Sequence, residues 1–166
     1  QQWRMTKTQT LRERLNSLAS AHRNDLKDGT YVFGSGNKTS MVLDVSGGSS
    51  ANGANVQLYQ SNDTNAQRWR VTHDSKGYVT LTNVGSGKVL DVNGASTEDG
   101  ANVQQYASNG TWAQKWIAVK NADGSYTFYS GLHDRKVLDV YGGATSNGAN
   151  VQLCAGNGTK AQRWVI

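Results

Sequence analysis

The chain has 166 residues, 36% of them hydrophobic, with a net charge of +5, one cysteine and no proline. That length suffices for one domain with a packed core and a small addition, and the periodic placing of its apolar residues excludes a disordered chain. A lone cysteine excludes an intramolecular disulfide without excluding export, and no apolar run approaches the roughly 18 residues of a membrane span.

The first residues, Gln1-Gln2-Trp3-Arg4-Met5-Thr6, match Gln67-Arg68-Trp69-Arg70-Val71-Thr72. They read as the last strand of a preceding repeat, in a chain excised from something longer. Leu11, Leu15, Leu18, Ala19, His22 and Leu26 then share one stripe and predict a helix within residues 7–27. Thr10 followed by Glu13 has the form of a capping box, and Asp28-Gly29 predicts the turn that ends the helix. Residues 1–28 carry six basic against three acidic side chains. We read them as the tail of a preceding repeat plus a linker helix with a solvated basic face. A nucleic-acid stripe requires basic residues clustered on the folded domain.

From Gly29 onward, helix periodicity gives way to short strands and turns. Three units align, about 31–72, 78–119 and 126–166. They open at Tyr31, Tyr78 and Tyr126 and continue into Val42-Leu43-Asp44-Val45, Val89-Leu90-Asp91-Val92 and Val137-Leu138-Asp139-Val140. After a Gly-rich loop come Asn55-Val56-Gln57-Leu58-Tyr59, Asn102-Val103-Gln104-Gln105-Tyr106 and Asn150-Val151-Gln152-Leu153-Cys154. Each unit closes on Gln-x-Trp: Gln67-Arg68-Trp69, Gln114-Lys115-Trp116 and Gln162-Arg163-Trp164. Self-similarity at a fixed period defines a repeat architecture, and many short strands between turn residues predict an all-β fold. Four strands per unit give twelve, which fits a closed threefold barrel with a hairpin cap. The Trp and the Val-Leu pair of each unit fill its core, and their neighbours face out.

Three Gln-x-Trp repeats, each with a Leu-Asp-Val element upstream, resemble the ricin B-type β-trefoil family over residues 29–166. The resemblance implies a pseudo-threefold trefoil preceded by one helix, acting as a lectin-like carbohydrate-binding module rather than an enzyme. It has up to three shallow sites, and its partner is a glycan or polysaccharide bearing galactose-type or other pyranose units. Such modules occur on bacterial glycosidases. This predicts a secreted or cell-surface location and a longer multidomain chain, with no cofactor, metal or nucleic acid.

Sugar binding needs polar groups that replace the hydration of paired hydroxyls and a flat apolar face for the ring. Asp44, Asp91 and Asp139 interrupt apolar strands; each either caps the Gly-rich turn that follows or accepts charge-assisted hydrogen bonds from hydroxyls. Tyr59 and Tyr106 supply ring faces. Gln57, Gln104 and Gln152 share their face by strand alternation. The resemblance adds Gln67, Gln114 and Gln162 as polar contacts, although a Gln beside a core Trp also fits a purely structural role. Family members often carry Asn directly before this Gln. Here Ala66, Ala113 and Ala161 stand there, and Asn65 lies one residue earlier in the first unit alone. In the third unit Cys154 replaces the aromatic residue, with Tyr141 as a substitute ring. The alternative is a structural or protein-interaction trefoil with degenerate sites. His73-Asp74-Ser75 reads as a turn, and the Asn-x-Thr triplets at Asn62, Asn109 and Asn157 read as turn chemistry.

Overall fold

The computed structural model describes residues 8–166, so the Gln1-Gln2-Trp3 match lies outside the described residues. Repeat one holds β1 (Gly29–Tyr31), β2 (Gly34–Ser35), β3 (Lys38–Val45), β4 (Val56–Gln60) and β5 (Trp69–His73). Repeat two holds β6 (Val79–Asn83), β7 (Val89–Val92), β8 (Ala101–Tyr106) and β9 (Trp116–Lys120). Repeat three holds β10 (Tyr126–Ser130), β11 (His133–Val140), β12 (Ala149–Ala155) and β13 (Trp164–Val165).

The outer strands of the repeats form a closed wall. Its pairings run β1–β5, β5–β6, β6–β9, β9–β10, β10–β13 and β13–β2. The inner strands form three hairpins, β3–β4, β7–β8 and β11–β12, and β12 ties them together by pairing with both β4 and β8. This is the expected β-trefoil. Thirteen strands replace the expected twelve because the opening strand of repeat one is split, its halves pairing different neighbours, β5 and β13.

Trp69, Trp116 and Trp164 are fully buried. Each indole N–H, which burial obliges to find a partner, donates to the Leu carbonyl of its own repeat: Leu43 at 3.1 Å, Leu90 at 3.1 Å and Leu138 at 3.4 Å. The Gln-x-Trp and Leu-Asp-Val motifs are therefore two halves of one buried contact. Phe33, Leu81 and Phe128 fill the space beside them. Each such side chain contributes roughly 1.5–3 kcal/mol by leaving water.

The register corrects one expectation. Tyr31, Val79 and Tyr126 are the residues that pair with Trp69, Trp116 and Trp164. Repeat two is one residue shorter between this position and its Asp, so Tyr78 is not the counterpart of Tyr31 and Tyr126. A one-residue slip turns a strand side chain to the opposite face. Tyr78 consequently meets the N-terminal helix.

That helix, α1 (Leu11–Ala21), is shorter than the predicted 7–27. The capping box is present: Glu13 N donates to Thr10 Oγ1 at 3.1 Å, and Thr10 N donates to Glu13 Oε1 at 3.2 Å. It ends at His22, whose ring Nδ1 lies 2.8 Å from Asp25 Oδ2. Leu15 and Ala19 pack on Tyr78 and Ile117, while Leu26, beyond the helix, joins the barrel core. The Tyr78 hydroxyl donates to Asn16 Oδ1 at 2.7 Å and accepts from Arg12 Nη1 at 3.1 Å. The Arg12 guanidinium sits 3.4 Å from the Trp112 ring centre, a cation–π contact. Arg14 pairs with Asp134 at 2.8 Å, and Arg23 donates to the Ser75 carbonyl at 2.6 Å. Arg12, Arg14 and Arg23 therefore dock the helix instead of forming a free basic face. Gly77 is required here: its φ is +98°, and a Cβ on it falls 2.4 Å from the Ala19 carbonyl oxygen.

Candidate functional site

Within each inner hairpin the register sets an Asp directly opposite a Gln: Asp44 with Gln57, Asp91 with Gln104, Asp139 with Gln152. These Asp residues were expected to face out. They are only 5%, 6% and 6% exposed, because the short 3-10 turn at Asn65–Gln67, Trp112–Gln114 or Lys160–Gln162 packs against the strand that carries each of them. The carboxylates accept from glutamine amides. Gln57 donates to Asp44 at 2.8 Å and Gln152 to Asp139 at 2.9 Å. In repeat two Gln114 makes the closer bond to Asp91, 2.8 Å against 3.4 Å from Gln104. Burial holds all three carboxyls above their usual range. Gln57 and Gln67 pull Asp44 back, as Gln114 and Gln104 do Asp91, and Gln152 and Gln162 do Asp139.

The glutamines of the Gln-x-Trp motifs lie beneath this floor. Gln67, Gln114 and Gln162 are 1–2% exposed. Gln67 Nε2 donates to the Gln60 carbonyl, and its Oε1 accepts from Asn62 N, both at 2.9 Å. Gln114 and Gln162 clamp their loops the same way through Ala107 and Asn109, and through Ala155 and Asn157. They shape the loop and hold the carboxylate from below.

An open cleft of about 520 Å³ lies over Asp44. Gln57, Tyr59 and Asn65 line it, together with Asn62, Thr64 and Gly48. Tyr59 is 38% exposed, and Tyr106, its counterpart beside Asp91, 39%. Each thus offers a ring face to solvent. Asn65 Oδ1 accepts from Arg68 Nη1 at 2.9 Å. Its repeat-two counterpart, Trp112, packs on Tyr78 instead, with ring centres 5.0 Å apart. A second cleft, of about 400 Å³, lies over Asp139 and Gln152, with Cys154 in the aromatic position and Tyr141, 65% exposed, on another wall.

Some lining residues escaped the sequence reading. Asn62 belongs to a turn, its Oδ1 accepting from Thr64 N and Oγ1; the repeated Asn-x-Thr triplet was the available signal. Gly85 in the cleft over Asp44 and Asn37 in the cleft over Asp139 come from the following repeat around the barrel, and no local motif marks them. Asn55, Asn102 and Asn150 are occupied elsewhere. Each amide donates to the next at 2.9 Å, Asn55 to Asn150, Asn150 to Asn102 and Asn102 to Asn55, closing a ring across the three repeats. Among the described residues no group of three or more His, Cys, Asp or Glu side chains could hold a metal ion.

A trefoil with carboxylate-floored, tyrosine-edged clefts defines a lectin-type domain. The family model for the ricin-type β-trefoil lectin domain-like group matches residues 65–154, and the chain belongs to that family. Its structure is similar to the designed 3-fold symmetric protein ThreeFoil, at 39% identity and TM-score 0.79, covering 82% of this chain and 96% of that one. It is also similar to the Rhizoctonia solani agglutinin, at 28% identity and TM-score 0.76, covering 84% and 94%. The exo-β-1,3-galactanase 1,3Gal43A from Clostridium thermocellum shares 34% identity at TM-score 0.78; the match covers 81% of this chain but 29% of that enzyme. No curated protein matches the chain.

Proposed function

We propose that the chain is a non-catalytic carbohydrate-binding module that takes exposed galactose-type or other pyranose units in shallow clefts, one per repeat. The observation that carries this reading is the Asp44–Gln57 pair flooring a cleft of about 520 Å³ beside the exposed ring of Tyr59. A carboxylate accepts from two neighbouring hydroxyls while the ring covers the sugar's C–H face. Asp44 is the one carboxylate lining that cleft among the described residues, whereas glycoside hydrolysis commonly uses two.

Each cleft binds weakly, and several on one glycan raise avidity. Asp91, Gln104 and Tyr106 make the second site. The third keeps Asp139 and Gln152 and uses Tyr141 in place of the missing ring. The partial coverage of the galactanase supports a place in a longer, exported bacterial protein that the module anchors to glycans at the cell surface or outside the cell. Titration with galactose, lactose and xylan oligomers tests this. Saturable binding that weakens in the Asp44→Ala/Asp91→Ala double variant is expected; no response to any of them, or an unchanged response in the variant, favours a structural or protein-interaction trefoil.

A further inference from the structure

Repeat three carries another cleft, of about 440 Å³, between the β10–β11 hairpin and the loop before β13. It is separate from the cleft over Asp139. Loop residues Gly156, Gly158 and Arg163 line this one, while Asn157, Thr159 and Ala161 line the other, so the loop is a ridge between them. The other repeats differ at two positions that shape it. Tyr129 stands where they have Gly34 and Thr82, and Gly156 where they have Ser61 and Ser108.

The charges around it balance except for one. Asp134 is tied to Arg14 at 2.8 Å, which holds its carboxyl below the usual range. Asp123 is tied to Arg163 at 3.0 Å, with Ser125 and Arg163 together holding its carboxyl down at about 2. His133 Nδ1 accepts from Arg135 N at 3.0 Å and lies 3.6 Å from Asp134 Oδ1. The Arg135 guanidinium lines the cleft, is exposed, and has no hydrogen-bond or ion-pair partner among the described residues. Beside it lie the half-buried Tyr129 and the mutually bonded Asn121 and Thr127.

We propose that this flank cleft is a binding site for a carboxylate-bearing pyranose, a uronic-acid unit. Arg135 takes the carboxylate in its planar fork, the Tyr129 ring covers the C–H face, and Asn121 and Thr127 face the hydroxyls. The site is independent of the clefts over Asp44, Asp91 and Asp139.

The test is titration of the isotope-labelled chain with digalacturonate, followed through backbone amide shifts. Saturable shifts at Tyr129, Arg135 and Gly156 are expected, weakening with salt. The exposed Arg135→Gln substitution, and separately the methyl ester of the ligand, are expected to lose at least about tenfold in affinity. Asp44→Ala, in another repeat and sharing no lining residue with this cleft, is expected to leave these shifts unchanged, so the outcome does not depend on the galactose titration. Absence of shifts at the flank, shifts confined to the Asp clefts, or equal affinity in Arg135→Gln overturns the proposal.

Discussion

The Gln57 side-chain amide donates a 2.8 Å hydrogen bond to the Asp44 carboxylate straight across the β3–β4 ladder. The acceptor of the proposed site is therefore held in place before any sugar arrives. Asp44→Ala is expected to weaken lactose binding at that cleft by more than about tenfold, since a charge-assisted contact is lost. Gln57→Leu keeps the acceptor but frees its orientation and is expected to cost only a few-fold. Amide-shift titration separates the two effects.

Stability and binding are expected to respond to acid in opposite directions. Burial raises the carboxyls of Asp44, Asp91 and Asp139 above 3.8, so the folded chain holds these protons more tightly than the unfolded chain. Their contribution to stability is full below the unfolded value and is lost as pH rises through the raised folded values. Asp44→Asn is expected to match or exceed the wild-type Tm at pH 7, with that advantage shrinking towards pH 4. Sugar affinity depends on the ionised form and is expected to fall as pH drops through the raised values, measured by titration across the same range.

Gln67 is a structural test of the same repeat. Its amide satisfies two backbone groups, Gln60 O and Asn62 N, at 1% exposure. Gln67→Ala strands both and leaves a small cavity, an expected loss of about 2–4 kcal/mol. Gln57→Ala, on the half-buried lip, is expected to cost under about 1 kcal/mol. Urea denaturation of the two variants checks the ranking.

The ring of Asn55, Asn102 and Asn150 predicts coupling between repeats. Asn102→Ala leaves the Asn150 amide and the Asn55 carbonyl oxygen unpaired, at an expected cost of about 1–2 kcal/mol. Adding Asn55→Ala is expected to cost less than it does alone, because its partner is already gone. Equal single and double increments in a double-mutant cycle contradict a closed ring.

Helix docking rests on the Tyr78 hydroxyl, which bonds both Asn16 and Arg12. Tyr78→Phe keeps the ring and is expected to cost about 1–2 kcal/mol. The expected signature is faster amide exchange in α1, while exchange in the β3–β4 hairpin stays unchanged.

Much of the fold was legible because it is written locally and three times over. Trp69, Trp116 and Trp164 and the Leu-Asp-Val strands recur at a fixed spacing, and alternation assigns their leucines to the core. The site was only partly legible. Asp44, Gln57 and Tyr59 lie on two paired strands whose register follows from their own hairpin. Gln67 carries the same motif signal whether its amide meets solvent or the loop backbone, and only the folded loop places it beneath the floor. Tyr78 misled for a related reason: three tyrosines align without a gap, and the missing residue hides in a turn that tolerates it.

The sequence by itself determined the repeat, the all-β architecture, the capped helix and the Asp and Tyr residues of the clefts, because these depend on period, alternation and short-range hydrogen bonds. Tertiary structure alone decided that Gly85 and Asn37 wall the clefts of neighbouring repeats, that the three asparagines close a ring, and that α1 docks on Tyr78 and Trp112. Those contacts join residues distant in the chain, and their geometry is set by barrel closure, which no local pattern encodes.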